Sequence, residues 1–402
     1  MSPARSATAA LPMSPAARSG EAPAALDRCR RLVRPALARA LRELDPWTGE
    51  MAAYAFGWQD VHGTPAPGVS PGKGVRQTLA VLGAQAAGAP DEAGVPGAVA
   101  VELVHAFSLL HDDLMDGDET RRCRPAVWKA YGPGPAVLVG DALFALAVRT
   151  VALTPDFVAP AAMRRLSVAL ADLVRGQAQD LESEGRPWQG AGAVSPQEYR
   201  VTAELKTGSL LGCAVATGAL LGGADEATVD ALDMMGRHAG VAFQLVDDIL
   251  GIWGDPAATG KPVHGDLWRR KKTYPVLAAL SGGGRAAREL SALLDEPLPG
   301  TGEVSVLGRG GSDGQNGADG PHGGRHGDPD HGTHGTPDRD PDGARVVRAA
   351  ALAEAAGGRA AALTEADRHL AAARACLRAV PLAPGAARTI DDLLTHLHHR
   401  TN

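Results

Sequence analysis

The stretch Ser108-Leu-Leu-His-Asp-Asp-Leu-Met-Asp-Gly-Asp118 decides how the rest of the chain is interpreted. Apolar residues at helical spacing lead into three aspartates, and those four apart, Asp112 and Asp116, project side by side from one helical face. Such like charges repel by about 0.2–0.5 kcal/mol unless they are neutralised. A solvated pair at a helix end is one interpretation. The preceding apolar residues favour carboxylates at the mouth of a buried core, where a hard divalent cation provides the counter-charge.

The composition indicates a large helical protein without features of several other classes. The chain has 402 residues, 45% of them hydrophobic and only 4% aromatic, which favours helices over a β-sandwich. A net charge of −6 gives no case for nucleic-acid binding. No uninterrupted apolar run is long enough to predict a membrane span, and the N-terminus lacks the order of a signal peptide. Four cysteines without CxxC spacing predict reduced thiols and a cytoplasmic location.

The chain predicts one helical domain with two low-complexity segments. Residues 1–24 are rich in Ala, Pro and Ser and are predicted to form a disordered leader, with a processed targeting sequence as the alternative. Residues 300–345 are rich in Gly, Asp, His and Pro and are predicted to be a disordered insert. Helical patterning resumes after the insert, so the helical domain is predicted to span 25–402 with one interruption.

A second acidic pair strengthens the metal interpretation. Asp247 and Asp248 follow another apolar helical pattern, three residues after Gln244. Cationic side chains accompany both acidic clusters and can bind the outer oxygens of a phosphate that the metal bridges. These side chains are Lys73, Arg76, His105, Arg121, Arg122, Lys206, Lys261 and Lys271. Each alone is equally compatible with a solvated charge, a salt bridge or, for the histidine, a satisfied core residue. Together they predict metal-assisted departure of a diphosphate.

In motif order and spacing, the chain resembles the trans-prenyltransferases, the head-to-tail polyprenyl diphosphate synthases. The segment from Asp112 to Asp116 resembles the family's first DDxxD motif. The other matching motifs are Lys73 with Arg76, His105, Arg121-Arg122, Lys206-Thr207, Phe243-Gln244 with Asp247-Asp248, Gly260-Lys261, and Asp266 with Lys271-Lys272-Thr273. The resemblance implies an all-α isoprenoid synthase fold, a helical bundle around a central diphosphate and Mg²⁺ cavity, and a homodimer.

The resemblance also implies a role for each matching residue. Two or three Mg²⁺ ions would be bound by Asp112, Asp113, Asp116, Asp247 and Asp248. The allylic diphosphate (dimethylallyl, geranyl or farnesyl) would be held by Arg121, Lys206, Thr207, Gln244 and Lys261. Isopentenyl diphosphate would be held by Lys73, Arg76, His105 and Arg122, and Lys271 would be a further substrate-binding residue. Catalysis would depend most on Asp112, Asp116, Lys206, Asp247 and Lys261.

One departure from the family pattern affects the second acidic motif. Gly251 stands where the family has its third aspartate, so the outer ligand must come from elsewhere or from water. Because Mg²⁺ usually keeps several waters, this change need not abolish binding. Similar DDxxG variants resemble actinobacterial geranylgeranyl diphosphate synthases.

The residues before the first motif bear on product length. Phe107, five positions before Asp112, is predicted to form the floor of the pocket for the growing chain, and Ser108 leaves room beside it. An aromatic residue at this position, without an insertion inside the motif, resembles the pattern of enzymes that make C20 products. The sequence therefore predicts geranylgeranyl diphosphate as the product.

Three alternatives remain open at this point. The product can instead be farnesyl diphosphate or another short-chain diphosphate. A class I terpene cyclase shares the fold and first motif, but Gly251 and Asp255 replace the later partners of its usual metal-binding triad. A non-catalytic subunit, or cargo docked into a larger shell through the low-complexity segments, is compatible with the missing third aspartate, although the intact first motif argues against an inactive chain.

Overall fold

The computed structural model describes residues 21–66, 72–256, 263–296 and 341–398. Over these residues the chain is helical apart from short connections and one two-stranded antiparallel ribbon, in which Thr120 pairs with Pro125. The all-α fold expected from the composition and from the family resemblance is therefore confirmed.

The elements follow one another in three groups along the chain. The first group is α1 (Glu21–Leu41), α2 (Pro46–Ala55), α3 (Val75–Ala86), a 3₁₀ turn (Asp91–Gly94), α4 (Val95–Met115), β1 (Thr120–Arg121), β2 (Arg124–Pro125), α5 (Val127–Tyr131) and α6 (Pro133–Ala152). The second group is α7 (Ala159–Glu184), α8 (Pro196–Ala203), a π-helical turn (Glu204–Gly208), α9 (Ser209–Leu221) and α10 (Glu226–Trp253). The last group is α11 (Gly265–Trp268), α12 (Tyr274–Ser281), α13 (Gly284–Asp295), α14 (Pro341–Ala355), α15 (Gly358–Ala379) and α16 (Pro384–His398).

Helix α9 lies at the centre of the bundle. Its residues from Ser209 to Ala219 are all buried, and the helix packs against α3, α4, α7 and α10. A Cβ atom added to Gly218 would lie 1.8 Å from the carbonyl oxygen of Ala80 on α3. On the α10 side, a Cβ atom on Gly236 would lie 2.6 Å from the Cα atom of Gly212. Small residues therefore let three helical backbones come into direct contact, and this packing sets how far apart α3 and α10 stand.

The boundaries of the domain differ by a few residues from the sequence prediction. Helix α1 begins at Glu21, and Ala22 is 1% exposed, so residues 21–24 pack with the helical domain. Residues 341–345 form the first turn of α14. The rest of the predicted leader (1–20) and of the predicted insert (300–340) lies outside the described residues.

Two apolar stretches, 91–115 and Pro133–Ala152, pass a length and composition test for a membrane-spanning helix. Both supply buried side chains to the bundle, including Leu103 and Leu143, and α4 packs along α6. Core helices of a globular protein pass the same test, and 50% and 39% of the two apolar stretches are buried inside the bundle.

A buried histidine pair joins α10 to α15. The Nδ1 atoms of His238 and His369 lie 3.0 Å apart, and His369 is 7% exposed. Burial, with the charges of Arg368 and His238, lowers the pKa of His369 from 6.5 to about 4. The unfolded chain therefore takes up a proton at a higher pH than the folded chain does. It follows that stability from this site is present above pH 6.5 and is lost as the pH falls towards 4.

We expect His369→Asn to flatten this pH dependence, because the amide keeps a polar atom near the Nδ1 position but does not titrate. For the native chain, the free energy of unfolding should fall by up to about 3 kcal/mol between pH 6.5 and 4 on account of this group. Urea unfolding followed by circular dichroism at several pH values measures the slope. The matched control is His62→Asn at an exposed position, and parallel pH profiles for all three chains would contradict the assignment.

Candidate active site

The charged residues singled out in the sequence meet where α4 and α10 end. Loop lysines link the two acidic motifs to distant parts of the chain. Lys73 Nζ, from the loop before α3, donates to Asp247 Oδ1 at 3.2 Å. Lys271 Nζ, from the loop before α12, donates to Asp116 Oδ2 at 3.3 Å. These two contacts join acidic and basic side chains that the sequence singled out in distant segments.

The neighbouring aspartates of the first acidic motif have different partners. Asp112 lies near Asp116 and Lys206, and burial raises its pKa to about 6, with Asp116 adding to the rise and Lys206 opposing it. Asp113 is only 2% exposed, and its two carboxylate oxygens accept from Nε of Arg121 at 2.8 and 2.7 Å. This ion pair fixes the position of Arg121, and the metal role expected for Asp113 stays a prediction.

The two aspartates of the second motif also have different partners. Asp247 carries the contact with Lys73, and its side chain is 29% exposed. Asp248 is 3% exposed and accepts hydrogen bonds from the Tyr199 hydroxyl, from Gln244 Nε2 at 3.0 Å and from the Tyr274 backbone N–H at 3.1 Å. Burial raises the pKa of Asp248 to about 7. Protein donors enclose this carboxylate, and the metal role expected for Asp248 stays a prediction.

The Lys206-Thr207 motif lies in the π-helical turn between α8 and α9. Lys206 Nζ donates to Asp180 Oδ2 at 2.6 Å, so this lysine joins the π-helical turn to α7. Thr207 Oγ1 donates to Gln244 Oε1 at 2.9 Å, and Gln244 passes the chain of hydrogen bonds on to Asp248. A π-helical turn inside a helical segment often marks a functional site. Here it presents two successive side chains to the region between the acidic motifs.

A second, cationic corner lies beside the first motif. Arg76 Nη1 is 3.2 Å from His105 Nε2. Burial and the charge of Arg76 hold the pKa of His105 well below its usual value, so the ring is neutral. Because a guanidinium only donates, Nε2 of His105 accepts and the ring proton is assigned to Nδ1. Arg122 and Glu102 line the same cavity, and this corner combines a neutral imidazole with two guanidinium groups.

The residues predicted to control product length pack between α4 and α6. The Phe107 ring lies edge-on to His111 with centroids 5.0 Å apart, and 5.7 Å from the ring of Phe144 on α6. Ser108 Oγ donates to the His105 carbonyl oxygen at 2.9 Å. The predicted ligand Lys261 falls outside the residues that the structure describes, and its role stays a prediction.

Two residues at this site were not assigned from the sequence. Asp180 anchors Lys206, and its only signal is its place in a polar run with Gln177 and Gln179 near the end of α7. Tyr199 donates to Asp248, and nothing in the sequence distinguishes it from a core tyrosine. Both act on the motif residues through contacts between segments that are far apart along the chain.

The donor set fits a hard divalent cation that is shared with a substrate. Within the described ranges, no three acidic, histidine or cysteine side chains are grouped as a closed metal site. Asp112, Asp116 and Asp247 instead offer carboxylate oxygens near lysines. Mg²⁺ is commonly held in this way, by one or two carboxylates with substrate phosphates and water completing its shell.

Comparisons with known proteins agree with this geometry. The model of the polyprenyl synthetase family matches residues 67–304. The chain is 47% identical to a geranylgeranyl diphosphate synthase of Mycobacterium tuberculosis, over 68% of this chain and 77% of that protein. It is 46% identical to a (2E,6E)-farnesyl diphosphate synthase of Mycobacterium bovis, over 66% and 72%. A crystal structure of a polyprenyl synthetase from Streptomyces coelicolor A3(2) superposes with a TM-score of 0.78 at 43% identity, covering 94% of this chain and 99% of that one.

Asp247 and Asp248 differ in burial and in partners, so replacing each by alanine should have a different effect on stability. Asp248→Ala leaves the Tyr199 hydroxyl, the Gln244 amide and one backbone N–H without their acceptor, and should reduce the free energy of unfolding by about 3 kcal/mol or more. Asp247→Ala removes a partly exposed ion pair and should cost less than about 1 kcal/mol. Urea unfolding of both variants measures the difference. Equal losses would show that the two side chains do not divide their roles in this way.

Proposed function

The chain belongs to the polyprenyl synthetase family, whose members join isopentenyl diphosphate to an allylic diphosphate, and on that basis we propose that its product is geranylgeranyl diphosphate. The relatives named above do not decide the chain length, because a geranylgeranyl and a farnesyl diphosphate synthase are almost equally similar to this chain. The proposal is carried by Phe107, the aromatic residue five positions before Asp112 and its contacts.

Two groups of charged side chains support two substrate sites. The allylic diphosphate is assigned to the side with Asp112, Asp116, Asp247 and Lys206, where carboxylates and a lysine face each other. Polyprenyl synthases use Mg²⁺, which in this site would be held by the three carboxylates. When bound, it supplies the Lewis acidity that lets the diphosphate leave.

Isopentenyl diphosphate is assigned to the cationic corner. Lys73, Arg76 and Arg122 provide charge for its phosphate oxygens, and the neutral His105 accepts from Arg76 and so orients that guanidinium. Guanidinium groups suit this task because their fork of donors matches the oxygens of a phosphate. These cations would have no second diphosphate to bind in a cyclase, so their clustering favours a prenyltransferase.

The reaction that this arrangement supports has three steps. The allylic C–O bond breaks and its electron pair leaves with the diphosphate. The double bond of isopentenyl diphosphate then supplies the electrons of the new C–C bond, and a proton is lost to the released diphosphate. Thr207 and Gln244 present oxygen atoms on the cavity side of the allylic site, where they would steady positive charge. Asp248 and Tyr199 hold the Gln244 amide in place for this task.

The aromatic cluster below Asp112 supports a C20 limit. Phe107 is held between His111 on its own helix and Phe144 on α6, so the ring cannot turn aside without losing both contacts. A chain that extends from the diphosphate along α4 would meet this ring after a set number of isoprene units. A farnesyl product remains the competing outcome, in which the floor lies nearer to the aspartates.

We expect the purified protein to convert isopentenyl and farnesyl diphosphates, with Mg²⁺ present, into geranylgeranyl diphosphate. Asp112→Asn should lower kcat by about 100-fold or more, because it removes a charge that acts on the leaving diphosphate. Product chromatography and initial rates measure both effects. The control is Asp156→Asn at an exposed position, which should leave the rate unchanged. The absence of condensation, or full activity of Asp112→Asn, would overturn the proposed function.

Phe107→Ala should lengthen the product beyond C20, because it removes the ring that closes the pocket while leaving the acidic motif intact. Chromatography of the dephosphorylated products measures chain length. The matched control is Phe157→Ala, since that phenylalanine is 86% exposed and lies in the turn before α7. An unchanged product from Phe107→Ala would place the floor at another residue and would remove the support for a C20 limit.

A further inference from the structure

The loop that carries Lys73 depends on two glycines. Gly72 and Gly74 flank the lysine, and both have left-handed backbone conformations, with φ angles of 79° and 67°. The carbonyl oxygen of Gly74 accepts from the backbone N–H of Thr78 at 3.1 Å, which fixes the end of the loop that enters α3. Because glycine permits many backbone conformations, the end before the lysine needs a contact from another segment to hold Lys73 in one place.

Arg30 of α1 supplies that contact. Its Nη2 donates to the carbonyl oxygen of Gly72 at 3.1 Å, across 42 positions of the chain. Its Nη1 donates to Asp27 Oδ1 at 2.7 Å, one turn earlier on the same helix. The Arg30 side chain is 27% exposed, so most of it lies within the fold. The guanidinium therefore links α1 to the residue immediately before Lys73.

Arg30 also acts on the cationic corner to which isopentenyl diphosphate is assigned. Glu102 of α4 lies in this corner, and its Oε1 accepts from the backbone N–H of Gln77 at 3.2 Å. Burial raises the pKa of Glu102. Three guanidinium charges oppose that rise, those of Arg76, Arg122 and Arg30. Three cations around one carboxylate leave an excess of positive charge, which suits a diphosphate.

Two of these guanidinium groups lie against the glycine loop. A Cβ atom built on Gly72 would lie 2.5 Å from Nη2 of Arg122, and one built on Gly74 would lie 3.7 Å from Nη2 of Arg30. The side chain of Lys73 extends from the same loop to the second acidic motif. The loop is thus in contact with α1, with the segment that follows the first acidic motif and with α10.

We propose that Arg30 is a positioning residue for isopentenyl diphosphate: by holding the carbonyl oxygen of Gly72, it fixes the loop from which Lys73 binds that substrate. This inference rests on the proposed function and adds α1 to the site. Arg30 lies outside residues 67–304, which the family model matches, so none of the motifs described above accounts for it. Loss of Arg30 should therefore affect one substrate, because Lys206 and Asp112, which are assigned to the allylic diphosphate, lie on other segments.

The kinetic test compares Arg30→Met with Arg31→Met, a matched control at the next position of α1, where the side chain is exposed. Methionine keeps an unbranched side chain but removes the charge and the donors. Arg30→Met should raise the KM for isopentenyl diphosphate by roughly tenfold, while kcat and the KM for farnesyl diphosphate stay near their native values. Arg31→Met should match the native chain in all three constants. Arg30→Lys should recover part of the loss, because an ammonium group can still donate to Gly72.

A binding measurement gives a second result that needs no turnover. Inorganic diphosphate is titrated into the full-length chain without divalent cations, and isothermal titration calorimetry gives its Kd. Without a divalent cation the cluster of aspartates repels the anion, so binding reports the cationic corner. Arg30→Met should weaken binding by roughly tenfold, and Arg31→Met should bind like the native chain. If Arg30→Met does not fold, Arg30→Gln replaces it in both measurements, with the same expected results.

The possible results separate this inference from the proposed function. Native KM and Kd values for Arg30→Met, equal rises in both KM values, or a fall in kcat alone would overturn the positioning role and leave the prenyltransferase assignment intact. A native chain that makes no product would overturn the proposed function. If the binding of inorganic diphosphate to that chain still depended on Arg30, the contact of Arg30 with the loop would keep its role in anion binding.

Discussion

The site depends on neutralising carboxylates that the fold brings together in a partly buried cavity. Removing a carboxylate from water is costly unless a counter-charge or several hydrogen bonds compensate it. Asp113 has Arg121, Asp116 has Lys271, and Asp247 has Lys73. Lys73 and Lys271 come from loops, so these ion pairs hold the two loops in place. In the proposed reaction the same lysines bind substrate. Binding of a cation and a diphosphate would therefore change the ion pairs that hold these loops.

Both acidic motifs use adjacent aspartates for different purposes. Successive residues on a helix point about 100° apart, so the two members of a doublet meet different neighbours. Asp112 and Asp247 lie near Lys206 and Lys73, while Asp113 and Asp248 are buried and hold Arg121 and the Gln244 side chain. In each doublet one aspartate contacts or lies near a lysine and the other is a buried acceptor of protein hydrogen bonds.

The distances across the cavity are set by helix packing deeper in the bundle. Helix α9 contacts α3 and α10 through glycine and alanine, and it is continuous with the π-helical turn that carries Lys206 and Thr207. Close packing of backbones leaves little room for adjustment, so these side chains are presented from rigid elements.

The sequence by itself determined the helical class, the family and the spacing of the motifs, because helix periodicity and the offset between Asp112 and Asp116 are local properties of the chain. It did not reveal which partner each aspartate of a doublet has, nor the contacts of Asp180 and Tyr199, nor the helical start at Glu21. Only the tertiary structure decided these points. Contacts such as those between Lys73 and Asp247, or Arg30 and Gly72, join segments whose relative position depends on the packing of whole helices.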